Sequence, residues 1–523
     1  MRARWFIPVA LLAALAAAAC GGDESGQDNG GTFGGDAGGS GGAGSTAGNT
    51  ATSGAANGAG GAAGGMAPDD AASSKSEISK SGGGKDIAGC AQVPTKQTSV
   101  TLTVANPRWL RSAPLARASL NAGQAPDPTA VDPIQLLGYY TPSYDPPAAG
   151  APLAVVPELR LDGSGDLTLQ IGVRAPDAPA PREKVLALTL LVDTSPSMAG
   201  DSMARAKAAA KTIAAHLQLH DTVTLVATSP EIEDQTFKIQ GPSDGPLIQA
   251  INDLAPGGDG TLDRALEQAY TEADAHFVKD GDNRLAFLTD AGTPASAVNL
   301  TPVSDHAASG ISLIGLGVGP ANGYRSGLLD AMSLAGAGAH LYLDDLDAAE
   351  VAGSGHHSIL AARFAEVFDV AARAVKVTII PPWYYAVRDP QGQPYGDADA
   401  TVNDTSDLTV GHAMVFRQVL HPCDASVILD DDDDFSVEVD YQTPDGVAAT
   451  PVTMTFKASQ VLVDSARIAK ADAVSAYAAA LASQNPDHLR AALSLATAPP
   501  LDTDADMIEI GKLIQLHPAY AKQ

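Results

Sequence analysis

The sequence has few cysteines, few aromatic residues and few basic residues for its length. Its 523 residues include 3 cysteines, and aromatic side chains make up 5% of the chain. So few cysteines exclude a small fold built on disulfide bonds. The chain has 32 Lys and Arg residues against 61 Asp and Glu residues, which gives a formal net charge of −29. Such a polyanion has no electrostatic attraction for nucleic acid, so we expect no nucleic-acid partner.

The apolar run at the N-terminus is also short. It covers residues 5–19, follows Arg2 and Arg4, and is too short for a comfortable membrane span. It ends in small residues before Cys20, which resembles the lipobox of bacterial lipoproteins except that Ala17 stands where leucine is usual. We predict a signal peptide over residues 1–19 and lipidation of Cys20. The alternative is an ordinary secretory signal with a chance cysteine, and both interpretations export the protein.

Residues 20–93 are dominated by Gly, Ala, Ser and Asp. Such a segment cannot bury enough apolar surface to offset the entropy lost when a backbone becomes ordered. We therefore predict a flexible tether that holds the rest of the chain away from a membrane. Together with Cys20, it predicts a lipoprotein anchored at the outer membrane or cell surface of a Gram-negative bacterium.

Short β-type segments lie on both sides of the middle of the chain. Those before residue 182 and those after residue 376 are each too few for a stable β-sandwich. We predict one sandwich formed from residues 94–182 and 376–460, with residues 183–375 inserted into it. The Pro-rich stretch between the first β segment and Ala151 is predicted to be irregular. The Ala-rich residues 461–523 are predicted to form a small helical segment, docked on the sandwich, without a site of its own.

Residues 183–375 alternate between apolar strands and helical segments. The run 185–192 is almost wholly apolar, which is typical of a parallel strand buried on both faces. The alternation predicts an α/β fold with a doubly wound, mostly parallel sheet. A helix over about residues 359–375 is predicted to close this unit.

Acids and hydroxyl side chains follow the strands of this unit. Asp193, Ser195 and Ser197 come directly after the apolar run, Thr261 precedes a helix, and Asp290 ends a later strand. Open α/β sheets bind ligands at the carboxyl ends of their strands. The alternative is that these side chains only cap the helices that follow.

The pattern Asp193-x-Ser195-x-Ser197 resembles the first loop of a von Willebrand factor type A (VWA) domain. With Thr261, Asp290 and the glycine-rich strand end 315–319, the three loops resemble the family's metal-ion-dependent adhesion site (MIDAS) over residues 185–375. The resemblance implies that Asp193, Ser195, Ser197, Thr261 and Asp290 bind Mg²⁺, with Mn²⁺ or Ca²⁺ as alternative ions. In the family two glycines directly precede the threonine, but here Asp259 intervenes and could take its place.

The resemblance also implies a function. Mg²⁺ prefers oxygen ligands and keeps positions for water or substrate. In the family, an acidic side chain of a protein partner completes the coordination. The flanks 375–377 and 410–413 resemble exported bacterial VWA proteins of the YfbK type. We therefore predict a binding module of the cell envelope, for adhesion or scaffolding, and not an enzyme.

Two other functions stay open from the sequence. One is a hydrolase that uses the metal to activate water. The other is a structural envelope protein whose metal stabilises the fold. Metal-dependent turnover would indicate the first, and chelation that lowers stability without releasing partners would indicate the second.

Cys90 and Cys423 remain if Cys20 is lipidated. Cys90 lies just before the first β segment and Cys423 lies within the last. In an oxidising compartment, we predict a disulfide bond between them that joins the two halves of the sandwich. The alternative is two free thiols.

Overall fold

The computed structural model describes residues 99–102, 110–177, 182, 184–258, 260–349, 358–362, 364, 368, 370–386, 407–424 and 426–521. The predicted signal peptide, Cys20, the tether and Cys90 lie outside these residues. Within the ranges just given, no helix combines the length and the apolar character needed to cross a membrane.

The strands, in chain order, are β1 (Val100–Leu102), β2 (Ala154–Leu161), β3 (Leu167–Arg174), β4 (Leu186–Val192), β5 (Thr222–Ala227), β6 (Gln235–Lys238), β7 (Asp282–Thr289), β8 (Ile311–Gly317), β9 (Ala339–Tyr342), β10 (Val370–Ile380), β11 (Tyr385–Ala386), β12 (Leu408–Thr409), β13 (Ala413–Pro422), β14 (Asp434–Gln442) and β15 (Val452–Lys457).

The α-helices are α1 (Ser112–Asn121), α2 (Pro133–Tyr139), α3 (Asp201–Ala215), α4 (Gly245–Asp253), α5 (Leu262–Ala275), α6 (Thr301–Ala308), α7 (Gly327–Ala335), α8 (Asp345–Ala348), α9 (Ile359–Ala362), α10 (Ala458–Val461), α11 (Ala466–Ser483), α12 (Pro486–Ala496), α13 (Ala505–Leu516) and α14 (Pro518–Ala521).

The central unit is a six-stranded sheet with the strand order β6-β5-β4-β7-β8-β9. Every neighbouring pair is parallel except β5 and β6. All seven residues of β4 are buried, as its apolar sequence predicts. Val192, the last residue of β4, lies opposite Leu288 of β7 and Ala227 of β5, so these three strands end at the same edge. The predicted doubly wound, mostly parallel sheet is confirmed.

Two antiparallel sheets are built from both ends of the chain. One has the order β1-β10-β14-β15 with β12 beside β10, and the other has the order β11-β13-β3-β2. Strand β3, before the central unit, pairs with β13 after it over eight residue pairs from Leu167↔Leu420 to Arg174↔Ala413. The two sheets share one apolar core. The predicted sandwich with an inserted α/β unit is therefore confirmed.

The stretch before Ala151 is not irregular as predicted, because it contains α1 and α2. Its prolines lie where helices tolerate them. Pro133 is the first residue of α2, and the side chain of Asp132 caps that helix. Pro114 lies in the first turn of α1. A proline in a first turn removes an N–H that has no partner within the helix, so it does not break the helix.

The helix predicted over residues 359–375 ends earlier, because strand β10 already begins at Val370. The residues from Val370 to Val375 are compatible with a helix, but here they pair with β12 and β14. The pairing is irregular at this point, and Ala374 has a φ of 50°. Tertiary pairing has therefore overridden the local preference.

The C-terminal helices contact more than the sandwich on which we predicted them to dock. Asp472 on α11 forms an ion pair with Arg417 of β13, which is a contact with the sandwich. Tyr477 on the same helix belongs to the apolar cluster that contains Leu341 of β9. Helix α11 therefore contacts the sandwich and also shares an apolar cluster with the central unit.

Candidate metal centre

The first loop brings two hydroxyl oxygens together at the carboxyl end of β4. Asp193 directly follows the strand and is 8% exposed. The backbone N–H of Ser195 donates to Asp193 Oδ1 at 2.9 Å, which folds the loop back over the carboxylate. Ser195 Oγ and Ser197 Oγ are then 3.0 Å apart, with Ser195 half-buried and Ser197 exposed. Two hard oxygen atoms therefore converge beside a buried carboxylate.

Two threonines from the neighbouring strands hold Asp193. Thr289, the last residue of β7, donates from Oγ1 to Asp193 Oδ2 at 2.7 Å. Thr228, which directly follows β5, has its Oγ1 3.5 Å from Asp193 Oδ1 and accepts the N–H of Thr194 at 2.8 Å. These hydroxyls orient the carboxylate without neutralising its charge.

Thr228 and Thr289 were not predicted from the sequence as site residues. The available signal was a hydroxyl side chain at the same end of both strands that flank β4. That signal has meaning only when the strand order β5-β4-β7 is known.

The third loop places Asp290 opposite Ser197. Asp290 directly follows β7, is half-buried, and accepts the N–H of Gly292 at Oδ1 over 2.9 Å. A methyl group on Gly292 would lie 3.1 Å from Asp290 Oδ1 and 3.7 Å from Ser197 Oγ. The two side chains therefore face each other across Gly292, where a larger residue would intrude.

Ala291, between Asp290 and Gly292, has an unusual backbone conformation. Its φ is 59°, in the left-handed region that costs a non-glycine residue about 1–2 kcal/mol. Its N–H donates to Thr289 Oγ1 at 3.0 Å, so the hydroxyl that orients Asp193 also fixes this turn. Strain of this kind concentrates at functional loops.

The second loop packs against the first, but no hydrogen bond within the described residues joins Thr261 to the other four predicted ligands. Gly257 N–H donates to Thr194 O at 2.6 Å, and a methyl group on Gly260 would lie 1.7 Å from Thr228 O. This close approach explains a glycine directly before Thr261. Thr261 is exposed, and no hydrogen bond joins it to Asp193, Ser195, Ser197 or Asp290 within the described chain. Asp259, the alternative ligand, lies outside the described residues.

The helix-capping alternative does not describe Ser195 or Thr261. Each stands at the N-cap position of the helix that follows it, and neither side chain makes a capping hydrogen bond. Elsewhere in the chain, side chains at N-cap positions do accept backbone N–H groups, at Asp127, Asp132, Asp344, Ser465, Asn485 and Asp504. Neither hydroxyl is therefore used to cap a helix.

The side chains of this edge fit a hard divalent cation. Among the residues that the structure describes, neither Asp193 nor Asp290 forms an ion pair, and three arginines of this unit, Arg182, Arg205 and Arg284, pair with other acids. Nor do the described ranges contain a group of three or more His, Cys, Asp and Glu residues that could hold a metal. The side chains at this edge offer carboxylate and hydroxyl oxygens, which are the ligands that Mg²⁺ prefers.

The comparison with known protein families agrees with this geometry. The model of the von Willebrand factor type A domain matches residues 187–350. This part of the chain is a VWA domain. The predicted family is therefore confirmed, and the site just described lies on the first and third loops of the domain.

Known proteins that are similar to this chain include a bacterial relative and two proteins of known structure. "Uncharacterized protein YfbK" of Escherichia coli (strain K12) is 25% identical over 285 residues, which are 51% of this chain and 48% of that protein. The chain thus spans about half the length of this relative. Among solved structures, BatB from Bacteroides thetaiotaomicron is 16% identical over 31% of this chain and 90% of that one, with a TM-score of 0.25. Proximal thread matrix protein 1 from the mussel byssus, described with a zinc-occupied MIDAS motif, is 16% identical over 38% and 50%, with a TM-score of 0.27.

Cys423 is disulfide-bonded. It is half-buried at the edge of the sandwich core, and its N–H donates to Tyr384 O at 2.9 Å. Its partner lies outside the described residues, as do both Cys20 and Cys90. Pairing with Cys90 therefore stays a prediction.

Proposed function

We propose that the VWA domain binds one divalent cation, Mg²⁺ in the first instance, and uses it to bind a protein ligand. Asp193, Ser195, Ser197 and Asp290 would hold the ion, with Thr261 as a further ligand. The observation that carries this proposal is the pair of serine hydroxyls, 3.0 Å apart, close to two carboxylates that form no ion pair with any described residue.

The donor set favours a ligand with an acidic side chain. Hydroxyl ligands add no formal charge, and Mg²⁺ retains waters that a carboxylate can replace. When bound, the ion supplies a positive centre for that carboxylate. The residues of this chain do the rest: Thr289 and Thr228 fix Asp193, Gly292 fixes Asp290, and the exposed Ser197 leaves the site open to solvent.

We propose binding without catalysis. A hydrolase would need a general base beside the metal. His340 of β9 is fully buried, and both of its ring nitrogens are engaged, with Asp330 Oδ1 at 2.8 Å and Tyr324 Oη at 3.0 Å. Burial also lowers the pKa of His340, so its neutral form is favoured there. Turnover of a generic ester or peptide that depends on Mg²⁺ would overturn this part of the proposal.

The location of the protein is inferred from the N-terminal pattern. We infer export and lipidation at Cys20, which place the VWA domain in the cell envelope as an adhesion or scaffolding module. Cys20→Ser should then release the protein from the membrane fraction. Full retention of that variant in the membrane would contradict the lipid anchor.

The metal site is tested by calorimetry with Mg²⁺ and Mn²⁺. The wild-type protein should bind one ion, and Asp193→Asn should bind none in the same concentration range, because a charged ligand is lost while the shape is kept. Asp253→Asn is the matched control, since Asp253 is exposed at the end of α4 and its contact is with Gln249. Equal metal binding by the wild type and Asp193→Asn would refute the site.

A further inference from the structure

The segment after β8 lies directly behind Asp290. Val318 N–H donates to Thr289 O at 2.9 Å, which continues the pairing of β8 with β7 beyond the end of the strands. Gly319 is buried at this point, and a methyl group on it would lie 2.6 Å from Asp290 O. Backbone thus packs on backbone, with no space for a side chain between Gly319 and the third loop.

Two side chains hold Gly319 in this position. Tyr342, the last residue of β9, donates from its hydroxyl to Gly319 O at 2.7 Å. Arg205 reaches the same carbonyl from α3, with its Nη1 3.3 Å from Gly319 O and 3.4 Å from Val318 O. Its Nε donates to Asp345 Oδ1 at 2.6 Å. Since α3 follows the first loop, Arg205 links that helix to the ends of β8 and β9.

Tyr342 is itself fixed by its neighbours. It is fully buried, and its ring packs edge-on against Tyr324 at 4.8 Å between centroids. Tyr324 is held in turn by its hydrogen bond to His340 and by Gly317, where a methyl group would lie 1.8 Å from the Tyr324 hydroxyl oxygen. Tyr342 and Tyr324 therefore pack closely behind Gly319. A displacement of Gly319 would move the loop that carries Asp290 rather than these side chains.

We propose that Gly319, clamped by Tyr342 and Arg205, sets the position of Asp290 and thereby the affinity of the site for its cation. The three residues are positioning residues that act through the backbone of the third loop. This inference rests on the proposed function, because it assigns them a role toward the same cation.

The first test is Gly319→Ala, with Gly327→Ala as its matched control. An added methyl group on Gly327, at the start of α7, meets nothing within 4 Å. Gly319→Ala removes no ligand, yet it should weaken Mg²⁺ binding by calorimetry about 10-fold or more, the usual effect of disturbing the groups behind a metal ligand. Gly327→Ala should bind Mg²⁺ like the wild type.

The second test uses Tyr342→Phe, which gives a result even if Gly319→Ala does not fold. Tyr342→Phe removes one hydrogen bond to Gly319 without adding volume, and it should also weaken Mg²⁺ binding. The metal-free thermal midpoint is measured in parallel, and the binding assay is run well below it, so that a loss of fold is not mistaken for a loss of affinity. Wild-type affinity in every variant that folds would overturn the inference. If the wild type binds no metal, or Asp193→Asn binds it equally well, the proposed function itself fails.

Discussion

Two groups of acidic residues lie at the carboxyl edge of the same sheet, and they differ in their partners. One group pairs with an arginine, and the other is held by neutral donors. After β9, Asp344 and Asp347 pair with Arg117 at 2.7 and 2.6 Å. After β4 and β7, Asp193 and Asp290 accept hydrogen bonds from hydroxyl and amide groups and form no ion pair within the described ranges. The first group has its cation within the chain, whereas the acids of the second are held by neutral donors.

The arginine group, which consists of Arg117 with Asp344, Asp347 and Glu509, joins three parts of the chain. Arg117 lies on α1 and is 1% exposed. Besides the two aspartates of the VWA domain, it pairs with Glu509 of α13 at 2.9 Å and donates to the hydroxyl of Tyr139 at 2.9 Å. Burial opposes its charge, but the interactions with Tyr139, Asp347 and Asp344 outweigh burial and hold the pKa of Arg117 well above its ordinary value. The ion pairs after β9 therefore connect α1 to the VWA domain and to α13.

Acids that hold the fold together differ from acids that bind a ligand in whether a basic side chain of the protein pairs with them. A buried carboxylate with a built-in basic partner is internally satisfied. A carboxylate held only by neutral donors keeps its charge available, which suits a site for a cation.

Removal of the arginine should have the largest effect. Arg117→Met leaves buried carboxylates without their cation and should lower the free energy of unfolding by about 3–5 kcal/mol, as measured in urea. The control is Arg490→Met, because Arg490 pairs with Asp487 at an exposed position, where the expected change is about 0–1 kcal/mol. Equal losses in the two variants would show that the buried group does not join the elements.

Added Mg²⁺ should stabilise the protein through Asp193 and Asp290 and not through the arginine group. At a concentration about 100 times the Kd, the ion should raise the free energy of unfolding of the wild type by about 2.7 kcal/mol. Asp193→Asn should show no such gain, whereas Arg117→Met should keep it if it folds. Thermal unfolding with Mg²⁺ and with a chelator measures the gain, and an equal gain in Asp193→Asn would contradict the assignment.

The threonine behind Asp193 should affect metal affinity more than stability. Thr289→Val keeps the shape but removes the hydroxyl that donates to Asp193 Oδ2 and accepts from Ala291, so Mg²⁺ should bind about 10-fold more weakly. Thr289→Ser keeps the donor and should restore most of the affinity in calorimetry. If Thr289→Val binds the ion as tightly as the wild type, the hydroxyl has no role in orienting Asp193.

The smallest effect is expected on the metal-free protein. Asp193→Asn removes a buried charge that has no basic partner, and most of its hydrogen-bonding atoms are kept. The free energy of unfolding without metal should therefore change by no more than about 1 kcal/mol. Urea unfolding in a chelator measures it. A loss as large as that of Arg117→Met would mean that Asp193 holds the fold together in the same way as the arginine group.

The loops that carry the proposed metal ligands could be located along the sequence because their signals are local. Asp193, Ser195 and Ser197 lie within five residues at the end of an apolar strand, and Asp290 ends another such strand. Strand periodicity and short motifs act over a few residues, so they can be recognised along the chain. The two β flanks were also recognisable, because neither has enough strands to be stable alone.

The arginine group was decided only by the tertiary structure. Arg117 lies in a stretch that we predicted to be irregular, and its partners Asp344, Asp347 and Glu509 are 227, 230 and 392 residues away in the chain. The roles proposed for Thr289 and Gly319 likewise depend on which strands are neighbours. Local periodicity and composition were enough to predict the strands of the central sheet and the acids and hydroxyls that follow them, but not helices α1 and α2 or the start of β10. Burial, ion pairing and the choice of neighbouring strands depend on contacts between residues far apart in the chain, which only the folded structure brings together.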